Sequence, residues 1–365
     1  AGTVVAQVRG SDADAGDVLS YQLTDDAGGR FTIDSSTGEI TVADGAALNH
    51  EAADGHEIIV QVTDAAGATY DETFKIAVGD VNEGPTAQDD TGSTSENAAI
   101  SVDVLANDTD VDAGDSQTLT AVNLASGSGS ASIVAGEVSF DPGSDYDHLA
   151  VGETAEVVID YIVEDSGGLT DSGRLTITVT GANDGPTLEA AIADQSATED
   201  TAFSFTLPAG SFDDLDTSDT LTYSATLADG SALPAWLSFD PDTRTFSGTP
   251  DNGDVGDLDV KVTATDPHGG SVDDVFTLAT VNSNDTPHDL EMSGGSVEEN
   301  AEAGTVVAQV RGSDADAGDV LSYQLTDDAG GRFTIDSATG EITVADGASL
   351  DHETSDGHEI IVQVT

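Results

Sequence analysis

The chain has 365 residues and carries 71 Asp and Glu against 8 Lys and Arg, a formal charge of −63 at neutral pH. Binding to a phosphate backbone or an anionic membrane surface needs basic side chains that are missing here, so neither nucleic acid nor such a surface is expected as a partner. No cysteine is present, which removes disulfides, thiolate metal sites and cysteine nucleophiles, and self-repulsion on this scale opposes a compact fold unless counterions or bound cations neutralise it.

In chain order, Ala1–Val8 (AGTVVAQV) alternates like a strand and has neither the charged start nor the apolar block of a leader. The chain is therefore expected to be an interior stretch of a longer one. Glu57–Thr63 (EIIVQVT) is a strand by strict alternation, and the polar linker Asp80–Pro85 (DVNEGP) follows. Arg174–Val179 (RLTITV) is the next clear strand and runs into the linker Gly181–Pro186 (GANDGP). A third linker of the same type, Asn282–Pro287 (NSNDTP), comes about one hundred residues later; the linker residues Asn82, Asn183 and Asn284 are 101 apart both times. From Ala303 to Thr365 the chain then repeats Ala1–Thr63 with five changes in 63 positions, at 36/338, 47/349, 49/351, 52/354 and 53/355.

This spacing divides the chain at 1–82, 83–183, 184–284 and 285–365. Three different units make a 302-residue super-repeat, and the fourth restarts it. The first unit is expected to lack its first strand, the counterpart of one within Asp285–Glu302, and the fourth to lack its last, the counterpart of one within Asp64–Asn82. Helical periodicity is nearly absent, and no apolar run approaches the roughly 18 residues of a membrane helix, so this segment is not expected to span a membrane. The fold class is all-β: a tandem array of immunoglobulin-like antiparallel sandwiches of about seven short strands each, joined end to end into a rod.

Acidic residues recur at fixed places as Asp-x-Asp pairs: Asp12 with Asp14, Asp110 with Asp112, Asp214 with Asp216, and Asp314 with Asp316. Calcium takes six to eight oxygens from carboxylates, amides and carbonyls, and these pairs together with the Asn-rich linkers supply that chemistry. A solvated acidic face is the plain alternative; recurrence in every unit favours calcium. An EF-hand reading of Asp108, Asp110 and Asp112 fails, because the glycine falls at Gly114, Leu119 stands at the glutamate position and no helices flank the loop.

With these residues in view, the chain resembles the cadherin-like tandem repeats found in extender regions of giant, RTX-type secreted bacterial adhesins. Units one and four resemble cadherin repeats through Glu298-Glu299-Asn300, Ser313-Asp314-Ala315-Asp316, Leu350-Asp351-His352-Glu353 and Asp80-Val81-Asn82-Glu83. Unit two is similar to VCBS-type repeats in Val104–Asp110 (VLANDTD), Phe140–Gly143 (FDPG) and Leu149–Glu153 (LAVGE). Unit three is similar to dystroglycan-type cadherin-like modules in Leu233–Asp240 (LPAWLSFD) and Phe246–Pro250 (FSGTP). The resemblance implies calcium clamped at each linker. The first set would be Asn49, Glu51, Asp80, Asn82 and Glu83 with Asp110, Asp112 and Asp165. The second would be Glu96, Asn183 and Asp184 with Asp214, Asp216 and Asp266, and the third Glu199, Asn284 and Asp285 with Asp314 and Asp316. Asn49 stands where the family has the first Asp of Asp-x-Glu, and Thr180 and Val281 stand where the first linker has Asp80. The resemblance further implies an extracellular place on a bacterial cell surface, with neighbouring repeats of the same long chain as partners and a host or surface ligand engaged elsewhere.

Other chemistries find less support. His50-Glu51 and His56 cannot form a zinc-protease face, since the histidines are six apart and a strand follows. No phosphate-binding glycine loop or nucleophile elbow is present, paired carboxylates occur by chance among 71 acids, and no enzymatic activity is expected. The alternative function is calcium-dependent polysaccharide binding, for which Trp236 could stack on a sugar ring; a core role is the plainer reading of that tryptophan.

Overall fold

The computed structural model describes residues 1–365 and contains 28 strands, one short 3-10 turn at Asn252–Asp254 and no α-helix. Two compact units divide the chain, Ala1–Ala182 and Asn183–Thr365, and each contains two sheet-on-sheet cores.

In the first unit, one sheet orders Val4–Gln7, Glu39–Val42 and Phe31–Ile33, and its companion orders Ser20–Asp25, Gly55–Thr63 and Thr69–Ala77. Phe31, Ile40, Ile58 and Val60 are buried between them. The alternation in Glu57–Thr63 has the expected outcome, with Ile58 and Val60 inward. Further along, Asp90–Ser95, Thr170–Thr180, Thr154–Glu164 and Thr118–Ser126 form a four-stranded sheet over Ile100–Val102, Glu137–Asp141 and Ser130–Val134. Here Val157, Ile159, Tyr161 and Val163 alternate with more exposed residues, Val158 and Ile162 among them, Leu175, Ile177 and Val179 alternate with polar ones, and all seven are fully buried. At about 1.5–3 kcal/mol for each large apolar side chain, these two strands carry much of this core.

The second unit repeats the plan. Gln195–Thr198, Ser271–Val281, Gly256–Thr265 and Thr222–Leu227 make one sheet, and Phe203–Thr206, Thr245–Gly248 and Leu237–Asp240 the other. Phe205, Phe246 and Phe276 meet between them with centroids 5.6–6.4 Å apart. Its last core lies under His288–Gly294, Val306–Ser313, Glu341–Val344 and Phe333–Ile335, facing the pair Tyr323–Asp327 and Ile361–Val364.

Pairing is antiparallel except in two places. Asp90–Ser95 runs parallel to Thr170–Thr180, and Gln195–Thr198 runs parallel to Ser271–Val281. Alternation gives a strand's faces but not its partner. Its consequence is positional: each of these edge strands ends where its partner enters the following linker.

Trp236 packs against the phenylalanine core, and its carbonyl lies so close to Gly248 that an added Cβ would sit 1.9 Å from the oxygen. Gly248 is in the middle strand of its sheet, paired with both Phe203 and Leu237, so the backbone cannot simply move aside. Gly248→Ala is expected to destabilise this module by about 1–3 kcal/mol. Because Trp236 is the chain's single tryptophan, its fluorescence in a urea titration isolates the effect; an unchanged midpoint would refute the packing argument.

Candidate metal centres at the linkers

The linkers have no regular structure, and their backbone and side-chain groups are held by acids from the adjoining sandwich. At the first, the Asn82 side-chain amide donates to Asp165 Oδ2 (2.8 Å), the Glu83 N–H donates to Asp112 Oδ2 (2.7 Å), and the Asp112 N–H donates to Asp110 Oδ1 (2.9 Å). At the head of the second unit the set recurs: Asn183 to Asp266 Oδ2 (3.1 Å), Asp184 N–H to Asp216 Oδ2 (2.9 Å), and Asp216 N–H to Asp214 Oδ1 (3.1 Å). At the third, Asp285 N–H donates to Asp316 Oδ2 (2.7 Å) and Asp316 N–H to Asp314 Oδ1 (3.0 Å). There Asn284 turns back to the Asp285 carbonyl (2.7 Å), and Asn282 takes Asp316 Oδ1 (3.0 Å).

The parallel edge strands supply the other acids. The Glu96 N–H continues the ladder onto the Thr180 carbonyl, and its carboxylate accepts the Ala182 N–H at 2.8 Å. Glu199 likewise follows its strand onto the Val281 carbonyl and accepts the Ser283 N–H. Both glutamates are fully buried. An acid some 85 residues upstream of its linker is thus delivered to it by strand pairing alone.

Two groups of carboxylates converge at the first linker. Glu51, Asp80, Glu83 and Asp112 place oxygens within 4.8 Å of one another, and so do Asp110, Asp112 and Asp115. Asp112 belongs to both. At the third linker Asp314, Asp316 and Asp319 converge in the same way. Among the expected residues, Asn49 accepts the Ala52 N–H on its side-chain oxygen at 2.6 Å. Asp165 and Asp266 engage the linker asparagines and close their own hairpin turns, and Glu199 is held on Ser283.

The structure adds Asp115 and Asp319 to the acids expected at the linkers, and it gathers Asp12 of the first Asp-x-Asp pair with Asp17 and Asp64, and the motif residues Glu299, Asp351 and Glu353 with one another. An acid three residues after each Asp-x-Asp pair, at Asp17, Asp115, Asp219 and Asp319, was the available signal. Asn252, which donates to Asp285 Oδ2 from the 3-10 turn, had none.

The donor set fits a hard cation. Asp110 Oδ2, Asp112 Oδ1, Asp115 Oδ2, Asp214 Oδ2, Asp216 Oδ1 and Glu199 Oε2 are buried and accept no hydrogen bond. Buried carboxylate oxygens without donors are costly unless a charge compensates them, and oxygen-only clusters of this kind suit calcium. Electrostatics agree. Burial, then the charges of Glu51, Asp112 and Asp80, push the Glu83 carboxyl above its usual 4.5, and burial with its acidic neighbours raises Asp214 above 3.8. Asp165 and Asp266 are also pushed up by burial, but donors from Asn82, Asn183 and the turn backbones outweigh that and hold them below the usual range.

A carboxyl whose pKa is raised by folding stabilises the fold below its ordinary pKa and gives that stability up as pH rises through the raised value. Around Glu83 and Asp214 the metal-free chain therefore loses stability as the pH climbs out of the range near 4. Calcium competes with protons for these carboxylates, so its binding is expected to weaken, with proton release, as the pH is lowered toward their raised range. Titration calorimetry in buffers of different ionisation enthalpy measures that release; pH-independent binding would contradict it.

Comparison with known proteins bears on the fold and the repeat type. A family described as "Cadherin domain" matches residues 1–78 and 294–365, "Bacterial cadherin-like domain" matches 82–181, and "Putative Ig domain" matches 185–281. A mouse relative, cadherin EGF LAG seven-pass G-type receptor 1, is 47% identical over 73 residues, which are 18% of this chain and 2% of that protein. Among solved structures, protocadherin gamma B7 extracellular cadherin domains 1–4 align with a TM-score of 0.55 at 17% identity, over 96% of this chain and 91% of that one. Mouse cadherin-23 EC22–24 aligns with a TM-score of 0.55 at 17% identity, over 77% of this chain and 92% of that one. The fold is that of a cadherin-type tandem array.

Proposed function

From an array of cadherin-like repeats, we propose that this chain is a calcium-rigidified extender segment of a large secreted bacterial surface adhesin, carrying a distal ligand-binding region away from the cell for adhesion and biofilm formation. In this reading the repeats run 1–82, 83–183, 184–284 and 285–365, the second of VCBS type and the third of dystroglycan type. They are extracellular and structural, with no reaction to catalyse. The observation that carries the proposal is the recurrence of one bonding pattern, linker N–H to the second Asp of a pair and that Asp to the first, beside buried oxygens that lack donors. Calcium on those oxygens cancels the like charges that drive a linker and its sandwich apart.

Small-angle scattering in millimolar calcium and after chelation tests this directly. A profile that moves toward a more flexible chain on chelation is expected, and a profile that does not change would overturn the proposal. Trp236, the ring best suited to the polysaccharide alternative, is packed against the core, so no observation favours that reading.

A further inference from the structure

Charge is missing from one place in this polyanion. Residues 116–136 contain no Asp, Glu, Lys, Arg or His, and the next such run, residues 201–212, is little more than half as long. The uncharged stretch forms two sheet edges of the second sandwich. Thr118–Ser126 pairs only with Thr154–Glu164, and Ser130–Val134 only with Glu137–Asp141. The other sandwiches put charge at the same position, on the two edge strands or on the turn between them. It is carried by Asp25, Asp26 and Arg30 in the first, Asp229 and Asp240 in the third, and Asp327, Asp328 and Arg332 in the fourth. Charged side chains and bulges are how sheet edges avoid pairing with another chain. Ser130–Val134 has neither: its ladder to Glu137–Asp141 runs without a register shift, whereas that of Thr118–Ser126 shifts twice. Ala131 packs on the core, so by alternation Ser130, Ser132 and Val134 face outward. Val134 is 52% exposed. The preceding turn holds the strand in place, because the Ser128 N–H donates to the Tyr146 hydroxyl at 2.8 Å and the Gly129 N–H to Asp145 Oδ2 at 2.7 Å.

We propose that Ser130–Val134 is a docking edge for the same strand of a second copy of this chain, paired antiparallel about a two-fold axis at Ser132. Charge selects that occupant. A chain of net charge −63 repels its own copies wherever acids face each other, and along this edge two copies meet with no charged side chain on either strand. The flanking ladder acids, Glu137 and Asp141, lie one strand further in, about 4.8 Å from the edge. The strand is also self-complementary. Ser132 falls opposite itself, Ala131 opposite Ile133 and Ser130 opposite Val134, so every side chain across the axis is small or β-branched. The same axis, perpendicular to the sheet, leaves the two Thr118–Ser126 edges facing each other. Backbone bonds would supply the attraction. A strand this short buries far less than the roughly 1,600 Å² of a stable complex, so the association is weak, and it strengthens with salt that screens the remaining acids.

Sedimentation equilibrium of the intact chain, at up to about 1 mM protein and in about 0.15 M and about 1 M salt, reads the association. A reversible monomer–dimer equilibrium is expected, tighter at the higher salt. Ser132→Asp and Ser132→Lys each set like charges opposite one another across the axis and should weaken the dimer several-fold, while an equimolar mixture of the two variants should recover it. Ser132 is exposed, and recovery in the mixture separates lost pairing from lost folding. Ser238→Asp, on the corresponding edge strand of the third sandwich, should leave the dimer unchanged. A chain that stays monomeric at both salt concentrations would overturn the proposal. So would Ser132 variants that dimerise like the unaltered chain, a mixture that does not recover, or an equal loss in Ser238→Asp.

Discussion

Asp112→Asn is expected to remove two calcium sites at once. Asp112 contributes to both acid groups at the first linker, one with Glu51, Asp80 and Glu83 and one with Asp110 and Asp115. Asparagine keeps an oxygen to accept the Glu83 N–H now bonded to Asp112 Oδ2, so the linker contact survives while the charge is lost. Calcium sites tune their affinity by ligand charge and count. Stoichiometry by titration calorimetry should fall by two, or the affinity of that pair by at least about tenfold, close to 1.4 kcal/mol. Asp12→Asn, in a different acid group of the same unit, should leave the first-linker sites unchanged. Equal losses in the two variants would mean that the sites are not organised around Asp112.

Chelation should have the largest effect on stability. The chain carries 71 acids and 8 basic residues, and its linkers bury carboxylate oxygens that no donor meets. A ligand that binds only the folded state adds RT ln(1 + [L]/Kd), about 2.7 kcal/mol per site at one hundred times Kd, and several sites act together. Scanning calorimetry in excess chelator should therefore show transitions well below those in millimolar calcium. Sodium chloride should raise the chelated transitions by screening repulsion over about 10 Å at 0.1 M, and move the calcium-bound ones little. Identical thermograms with and without calcium would refute the stabilising role.

Much of this was legible in the sequence because two of its signals are local. Period-two alternation locates Glu57–Thr63 and Arg174–Val179, and the pleat turns Ile58, Val60, Leu175, Ile177 and Val179 inward. The 101-residue spacing of the linker asparagines marks residues that meet an acid of the adjoining sandwich at Asn82 and Asn183, whereas at the third linker Asn282 rather than Asn284 reaches Asp316. What was hidden is tertiary. Nothing local says that Asp90–Ser95 pairs in parallel with the last strand of its sandwich, the pairing that delivers Glu96 to Ala182. The tight turn that folds Asp115 back beside Asp110 follows from backbone geometry, although its regular spacing was visible. Asn49 accepts the Ala52 N–H within its own turn, and its counterpart Asp351 likewise accepts the Glu353 N–H while lying in the acid group with Glu299 and Glu353.

The central claim is that the acid clusters are calcium sites. Isothermal titration of calcium into the intact chain at neutral pH and 0.15 M salt tests it most directly. The account predicts saturable binding of several ions below about 1 mM, the range of extracellular calcium modules, with a reduced count for Asp112→Asn. No saturable binding up to about 10 mM, an order of magnitude beyond that range, would contradict it.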